Sequence, residues 1–441
     1  MPKKRLLVLT VVVGFLISAC ASAVKSESLS DNDLNGGGEV KEEIDGPAGE
    51  GLESEGDSEQ DLEKDTPSPS AQEEGPKVDE TTCEDPFDGE QPAFNTAYWE
   101  KTNFCEHSVD YSTIFSGGPP PDGIPPIDDP IFVSLESVDG WLKDREPVIS
   151  LQIDGDARAY PLQIMTWHEI VNDKVGGVPV VVTFCPLCNT ALVFERPSVN
   201  GQILTFGTSG NLRNSDLVMY DRQTESWWQQ FSGEAIVGDL TGQQLKFLPA
   251  TIVSWSDFKN EHPEGEVLSR ETGFNRRYGS NPYVGYDDID SSPFLFQGDV
   301  DERLKPMERV VGILGEGDQS KSFSYQRLQE ERLIHETFEG TPIVVFWKEG
   351  TASALDTSTI SEGKDVGTTG VFEALVEGEE LTFTADEDGT FRDKKTNSTW
   401  NILGEAVEGP LAGETLTAIP HHDTFWFAWA AFQPPDSLME E

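Results

Sequence analysis

Two cysteines three positions apart, in Phe184-Cys185-Pro186-Leu187-Cys188-Asn189, are the most chemically suggestive local feature of the chain. A CxxC pair can hold a metal ion or cycle between dithiol and disulfide, but one pair is two ligands short of a zinc site. His168 precedes it by 17 residues, on a segment predicted to be helical, and Met219 lies on a predicted strand beyond it. Two thiolates, an imidazole and a thioether suit copper(I), and thiolates with imidazole also suit zinc. Thiol–disulfide redox is the second chemistry. It favours a helix N-terminus behind the first thiol, whereas Asn189-Thr-Ala-Leu-Val-Phe-Glu195 reads as a turn and a strand. A third reading has no chemistry: a local structural disulfide in a binding or scaffold protein, with Trp227-Trp228 and Ser209-Gly210-Asn211 walling a groove. Gly207-Thr-Ser-Gly210 is no nucleophile elbow, because Asn211 stands where glycine is required. His421-His422-Asp423 is a second candidate cluster, but it lies in the part of the chain without the CxxC and reads more simply as a surface loop.

The other three cysteines have different expected fates. Met1–Arg5 is basic and Leu6–Ile17 is apolar, the pattern of a signal peptide over 1–19 and too short to span a bilayer. Its end, Ile17-Ser18-Ala19-Cys20, resembles a bacterial lipobox, which implies that Cys20 is lipidated. The chain is then expected to be a membrane-anchored lipoprotein on the extracellular or periplasmic side. Cys83 and Cys105 are expected to form a structural disulfide in that oxidising setting.

The formal charge of −49 excludes a nucleic-acid binder, since phosphate contacts need clustered Lys and Arg. Residues 26–80 hold 19 acids and 3 lysines, and 81–441 hold 61 acids and 24 bases. The stretch 20–82 has no aromatic residue and reads as an acidic disordered tether. Over 81–441 the excess must be on a surface, suited to solubility or to cationic and metal ligands.

An internal repeat organises the rest. Ala157-Arg-Ala-Tyr-Pro-Leu162 matches Ser320-Lys-Ser-Phe-Ser-Tyr325, and Gly177–Val182 matches Gly340–Val345, both at an offset of 163. Further on, Ser226-Trp227 is aligned with Thr399-Trp400, Gly233–Gly238 with Gly404–Gly409, and Leu240–Leu245 with Leu411–Leu416. Pro249 and Trp255 fall opposite Pro420 and Trp426. Glycines, prolines and tryptophans recur, but Cys185, Cys188 and His168 become Lys348, Thr351 and Glu331. A shared scaffold needs its core residues twice, while a special site survives in one copy. The first copy is therefore the candidate for chemistry and the second for support.

These residues must be positioned by short strands. Val148–Ile153, Val178–Phe184, Ala191–Phe194 and Leu217–Tyr220 are β-rich runs bounded by turn residues. Pro161–Val171 carries apolar residues at helical spacing with proline at its start, and a second helix is expected from Ser254 to about Asn260. The pattern predicts an α+β fold, predominantly antiparallel β, with two tandem related units that could each close toward a barrel-like form. Its expected segments are 83–145 with the disulfide, 146–306 as the first repeat and connecting loop, 307–433 as the second repeat, and a 434–441 tail.

Trp167-His-Glu-Ile-Val-Asn-Asp173, Thr183-Phe-Cys-Pro-Leu-Cys-Asn-Thr-Ala-Leu192 and Phe206-Gly-Thr-Ser-Gly210 together resemble the DUF3179 family, a domain of unknown function. Asp216–Trp227, Gly233–Gly238 and Asn281-Pro-Tyr-Val-Gly-Tyr286 continue the likeness over most of 130–430. Asn189 and Trp227 depart from it, standing where Gly and Leu are commoner. The resemblance implies motif positions but no roles.

Overall fold

The β-rich runs form paired strands, as expected. A computed structural model describes Cys83 and residues 85–138, 140–317, 319–433 and 437–439. The expected signal peptide, the lipidated Cys20 and the acidic tether lie outside the described residues. Cys83 and Cys105 are disulfide-bonded, with Cα atoms 5.8 Å apart. Among the described residues the fold is mostly antiparallel β with four short helices, one sheet forming a half-barrel. Among the described strand ladders only Glu266–Leu268 on Asp156–Pro161 is parallel.

The two stretches carry their elements in one order. In the first, strands Pro147–Ile153 and Asp156–Pro161 form a hairpin that feeds α1 (Leu162–His168). In the second, Arg309–Leu314 and Ser320–Ser324 do the same for α3 (Tyr325–Glu331). Each helix ends on a left-handed residue, Glu169 (φ 58°) or Arg332 (φ 69°), which turns the chain into the next hairpin. That hairpin is Ile170–Val175 with Val178–Cys185 in one case and Leu333–Phe338 with Thr341–Lys348 in the other. Each stretch closes on a strand that returns to the opening one and leads into a helix. These are Thr251–Ser254 with α2 (Trp255–Glu261) and His422–Phe425 with α4 (Trp426–Phe432).

The helix ends follow local chemistry. Ser254 caps α2, its hydroxyl accepting the Asp257 N–H at 3.0 Å. Pro161 stands one residue earlier than expected, as the N-cap of α1, with Leu162 at N1.

One alignment shifts by a residue. Asp221 Oδ2 accepts the Trp228 indole N–H at 3.1 Å while Oδ1 accepts the Thr224 N–H at 2.7 Å. Asp393 repeats this with Trp400 Nε1 at 3.2 Å and Thr396 N at 2.5 Å. Trp400 is therefore the counterpart of Trp228, and Thr399 that of Trp227. The first stretch has two adjacent tryptophans, and it is the second of them that recurs; in both ladders the register slips just before it, between Trp227 and Trp228 and between Thr399 and Trp400.

The two stretches meet in one apolar cluster. Cys185, Cys188, Met219, Trp228 and Phe231 of the first pack with Phe425, Trp426 and Trp429 of the second. Gly312 makes the helix packing possible, since a Cβ there would lie 1.9 Å from the Trp429 ring. The segment 83–145 is woven into the first stretch, with Ile114–Ser116 on the edge of Phe206–Arg213 and Phe132–Ser134 on Glu266–Leu268.

Candidate metal centre

The CxxC is the turn between two paired strands. Val178–Cys185 ends at Cys185, Thr190–Glu195 begins opposite it, and Cys185 pairs with Thr190. Asn189 takes a left-handed conformation (φ 55°) that asparagine tolerates, and its N–H reaches the Pro186 carbonyl at 3.3 Å. No helix follows the pair, as the sequence pattern predicts. Both cysteines are free thiols and buried.

The third member of the group is Asp216. One ligand atom from each of Cys185, Cys188 and Asp216 lies within 4.8 Å of the other two, and all three residues are buried. Asp216 opens the strand Asp216–Asp221, delivered by the hairpin from Phe206–Arg213. Its Oδ2 accepts from Gln229 Nε2 at 2.6 Å and from the Phe231 N–H at 2.9 Å. Its Oδ1 is buried and has no hydrogen-bond partner among the described residues. The main-chain oxygen of Ser215 faces both sulfurs, 3.9 Å from Cys185 Sγ and 3.6 Å from Cys188 Sγ.

Burial sets the electrostatics. It pushes the Cys185 thiol up and the Cys188 thiol well up, the latter aided by Cys185 itself. Asp216 is raised to about 6 by burial, although Gln229 and the Phe231 amide favour its charged form. Glu169, beside Tyr283, is raised to about 8 by the same cause. Without a cation the site keeps its thiols protonated. A dication would reverse that preference by supplying the missing charge.

His168 does not join the group. Its Nδ1 is 2.6 Å from the Pro125 carbonyl and its Nε2 2.6 Å from the Tyr278 hydroxyl, so both ring nitrogens are engaged elsewhere. Burial lowers it to about 4, so it is held neutral. The left-handed turn at Glu169 separates consecutive side chains. His168 goes to Phe274 and Tyr278. Glu169 goes to Tyr283, where its carboxylate interacts electrostatically with Asp216 and Cys185. Met219 is fully buried in the same apolar cluster as both cysteines.

Three further expectations are corrected. His421-His422-Asp423 is no surface loop: all three are buried, and His422 Nε2 lies 2.9 Å from the Phe231 carbonyl. Trp227 and Trp228 have no exposed surface and wall no groove. Ser209 spans a bulge, its hydroxyl donating to the Val218 carbonyl at 2.5 Å and accepting the Asn211 N–H at 3.0 Å.

The second stretch braces the turn. The Cys188 carbonyl accepts the Phe425 N–H at 3.0 Å, the Thr424 hydroxyl at 3.0 Å and the Thr190 hydroxyl at 3.2 Å. At the positions matching the cysteines it carries Lys348, which pairs with Asp257, and the buried Thr351.

Sequence reasoning missed Asp216, which lies inside a run read only as a strand. No spacing links it to the CxxC, because a hairpin and two sheets bring them together. No curated protein and no solved structure matches the chain. Residues 121–436, most of the chain, match the DUF3179 family, described as proteins of unknown function, and the chain belongs to that family.

Proposed function

We propose that this DUF3179 protein is a membrane-anchored lipoprotein of the cell exterior that binds a transition metal through Cys185, Cys188 and Asp216. The observation that carries the reading is the buried Asp216 Oδ1. That oxygen has no hydrogen-bond partner of its own, and the groups beside it that favour the charged carboxylate are the two buried thiols, whose protons a metal ion would replace. A metal ion supplies the missing partner and favours the deprotonated thiols.

The hard carboxylate favours zinc over copper(I), which prefers an all-soft set. Met219 in the same cluster keeps copper(I) as the second choice. Raised thiol pKa values weaken the redox alternative, since thiolate is the reacting form. The Ile17-Ser18-Ala19-Cys20 pattern supports the lipid anchor and exterior location.

The test uses the purified full chain, stripped of metal and titrated with zinc or copper(I) beside a Cys185→Ser/Cys188→Ser variant. One equivalent bound by the parent and lost in the variant is the expected result. A parent chain that binds neither ion sinks the reading. A reversible two-electron thiol couple without metal would put the redox reading in its place.

A further inference from the structure

We infer that the main-chain carbonyl of Ser215 is the fourth donor of a tetrahedral zinc site, held in place by the Ser215 hydroxyl's bond to the Phe294 carbonyl. The inference rests on the metal-binding reading above and completes its ligand set.

The separations fit. With zinc–sulfur bonds of about 2.3 Å and zinc–oxygen bonds of about 2.1 Å, a tetrahedron has sulfur–oxygen edges of about 3.6 Å. Ser215 O lies 3.6 Å and 3.9 Å from the two sulfurs. In the metal-free protein the thiols use this oxygen as a hydrogen-bond acceptor. On losing their protons they present two sulfurs and an oxygen to a common centre, beside the Asp216 carboxylate. The donor set is then two sulfurs and two oxygens, with no imidazole.

The backbone is shaped for this. Arg213 pairs with Asp216, so Asn214-Ser215 is a two-residue hairpin loop, and both residues have positive φ (52° and 66°). That is the type I′ turn, whose second position favours glycine. Serine is costlier there, and this serine is fully buried. Its hydroxyl donates to the Phe294 carbonyl, on the segment joining the two stretches. That segment is itself tied down, with the Asn281, Gly285 and Tyr286 N–H groups bonded to the carbonyls of Ser358, Asp356 and Leu355. Ser215 therefore joins the metal group to a strap anchored on the second stretch. Glycine would satisfy the turn better, but it could not make that bond.

This separates ligand positioning from stability. Ser215→Gly relieves the backbone and removes the tether, and Ser215→Ala removes the tether while keeping the Cβ. Zinc affinity of the full-length chain is measured by competition with a chromophoric chelator, melting temperature on the metal-free protein, and coordination by X-ray absorption of the zinc-loaded parent. Expected are two sulfur and two oxygen neighbours, and affinity about ten- to a hundredfold weaker in both variants, the usual range for outer-shell partners. Metal-free Ser215→Gly should melt no lower than the parent. Parent-like affinity in both variants, or an imidazole in the coordination shell, overturns the assignment while leaving the metal-binding reading intact. A parent that binds no zinc overturns both.

Discussion

The loops Asp221–Ser226 and Asp393–Ser398 are built alike, whereas the turns at Cys185–Asn189 and at the matching Lys348 are not. In each of the two loops an aspartate gathers a threonine N–H, a threonine hydroxyl and an indole N–H. In each, a serine hydroxyl then accepts a leucine N–H, from Leu240 or Leu411. Such a loop needs only local bonds, and both stretches keep it. The cysteine turn needs Asp216, Ser215, Thr424 and Phe425 from elsewhere, and it occurs once. What the two stretches share is therefore support, and what they do not share is the candidate chemistry.

The largest effect expected on this comparison is at the helix contact. By register Ser150 stands opposite Thr251 where Gly312 stands opposite His422. Exchanging the two residues should be asymmetric. Gly312→Ser drives a side chain into Trp429 and should cost on the order of 3 kcal/mol, while Ser150→Gly should cost about 1 kcal/mol. Chemical denaturation of the single variants measures both, and equal costs would mean that the two helix contacts are interchangeable.

Acid should act on both stretches alike. His168 and His422 are each held to about 4 by burial. Their folded values lie below the unfolded value near 6.5, so the unfolded chain binds more protons between those limits and stability falls as pH drops through that window. Each should contribute a loss on the order of 3 kcal/mol at pH 4 relative to pH 7. His168→Gln and His422→Gln should each flatten the profile, read from urea unfolding at pH 7 and pH 4. A flattening in only one would separate the stretches.

Asp221→Ala and Asp393→Ala should be nearly equivalent, each costing about 2 kcal/mol for the buried donors left unpaired. Thermal melts that differ by many degrees between the two would break the equivalence of the loops. The smallest effect is expected from a transplant. Lys348→Cys/Thr351→Cys recreates the pair in the second stretch, but the aspartate nearest to the Asp216 position, Asp388, is exposed on a turn. Zinc stoichiometry should stay at the parent value, and a second equivalent bound would show that the cysteines alone suffice.

Much of this was legible in the sequence, and the illegible part has a physical reason. Helix α2, the strand after Cys188 and the like order of elements in the two stretches follow from local pattern. So does the choice of the first stretch, from cysteines that do not recur. The tryptophan alignment failed by one residue because Trp227 and Trp228 are adjacent, and only the indole bonds to Asp221 and Asp393 show which of them recurs. His168 stands out in the sequence as an imidazole near the CxxC, yet the left-handed residue Glu169 turns consecutive side chains to different neighbours, and His168 is sent away from the cysteines. Asp216 is joined to the cysteines only through tertiary packing. Ser215 contributes a backbone oxygen, an atom that every residue type possesses.

The bonds from Thr424 and Phe425 to the Cys188 carbonyl also set an order of events during synthesis. The Thr424 hydroxyl comes from a residue 236 positions further along the chain. At about 5–20 residues per second, a nascent chain carries its cysteine turn unbraced for roughly 10–50 s. In that interval the Cys188 carbonyl lacks two of its three donors, which arrive only when the last strand docks. A chain cut short before His422 keeps both cysteines and never gains those two bonds.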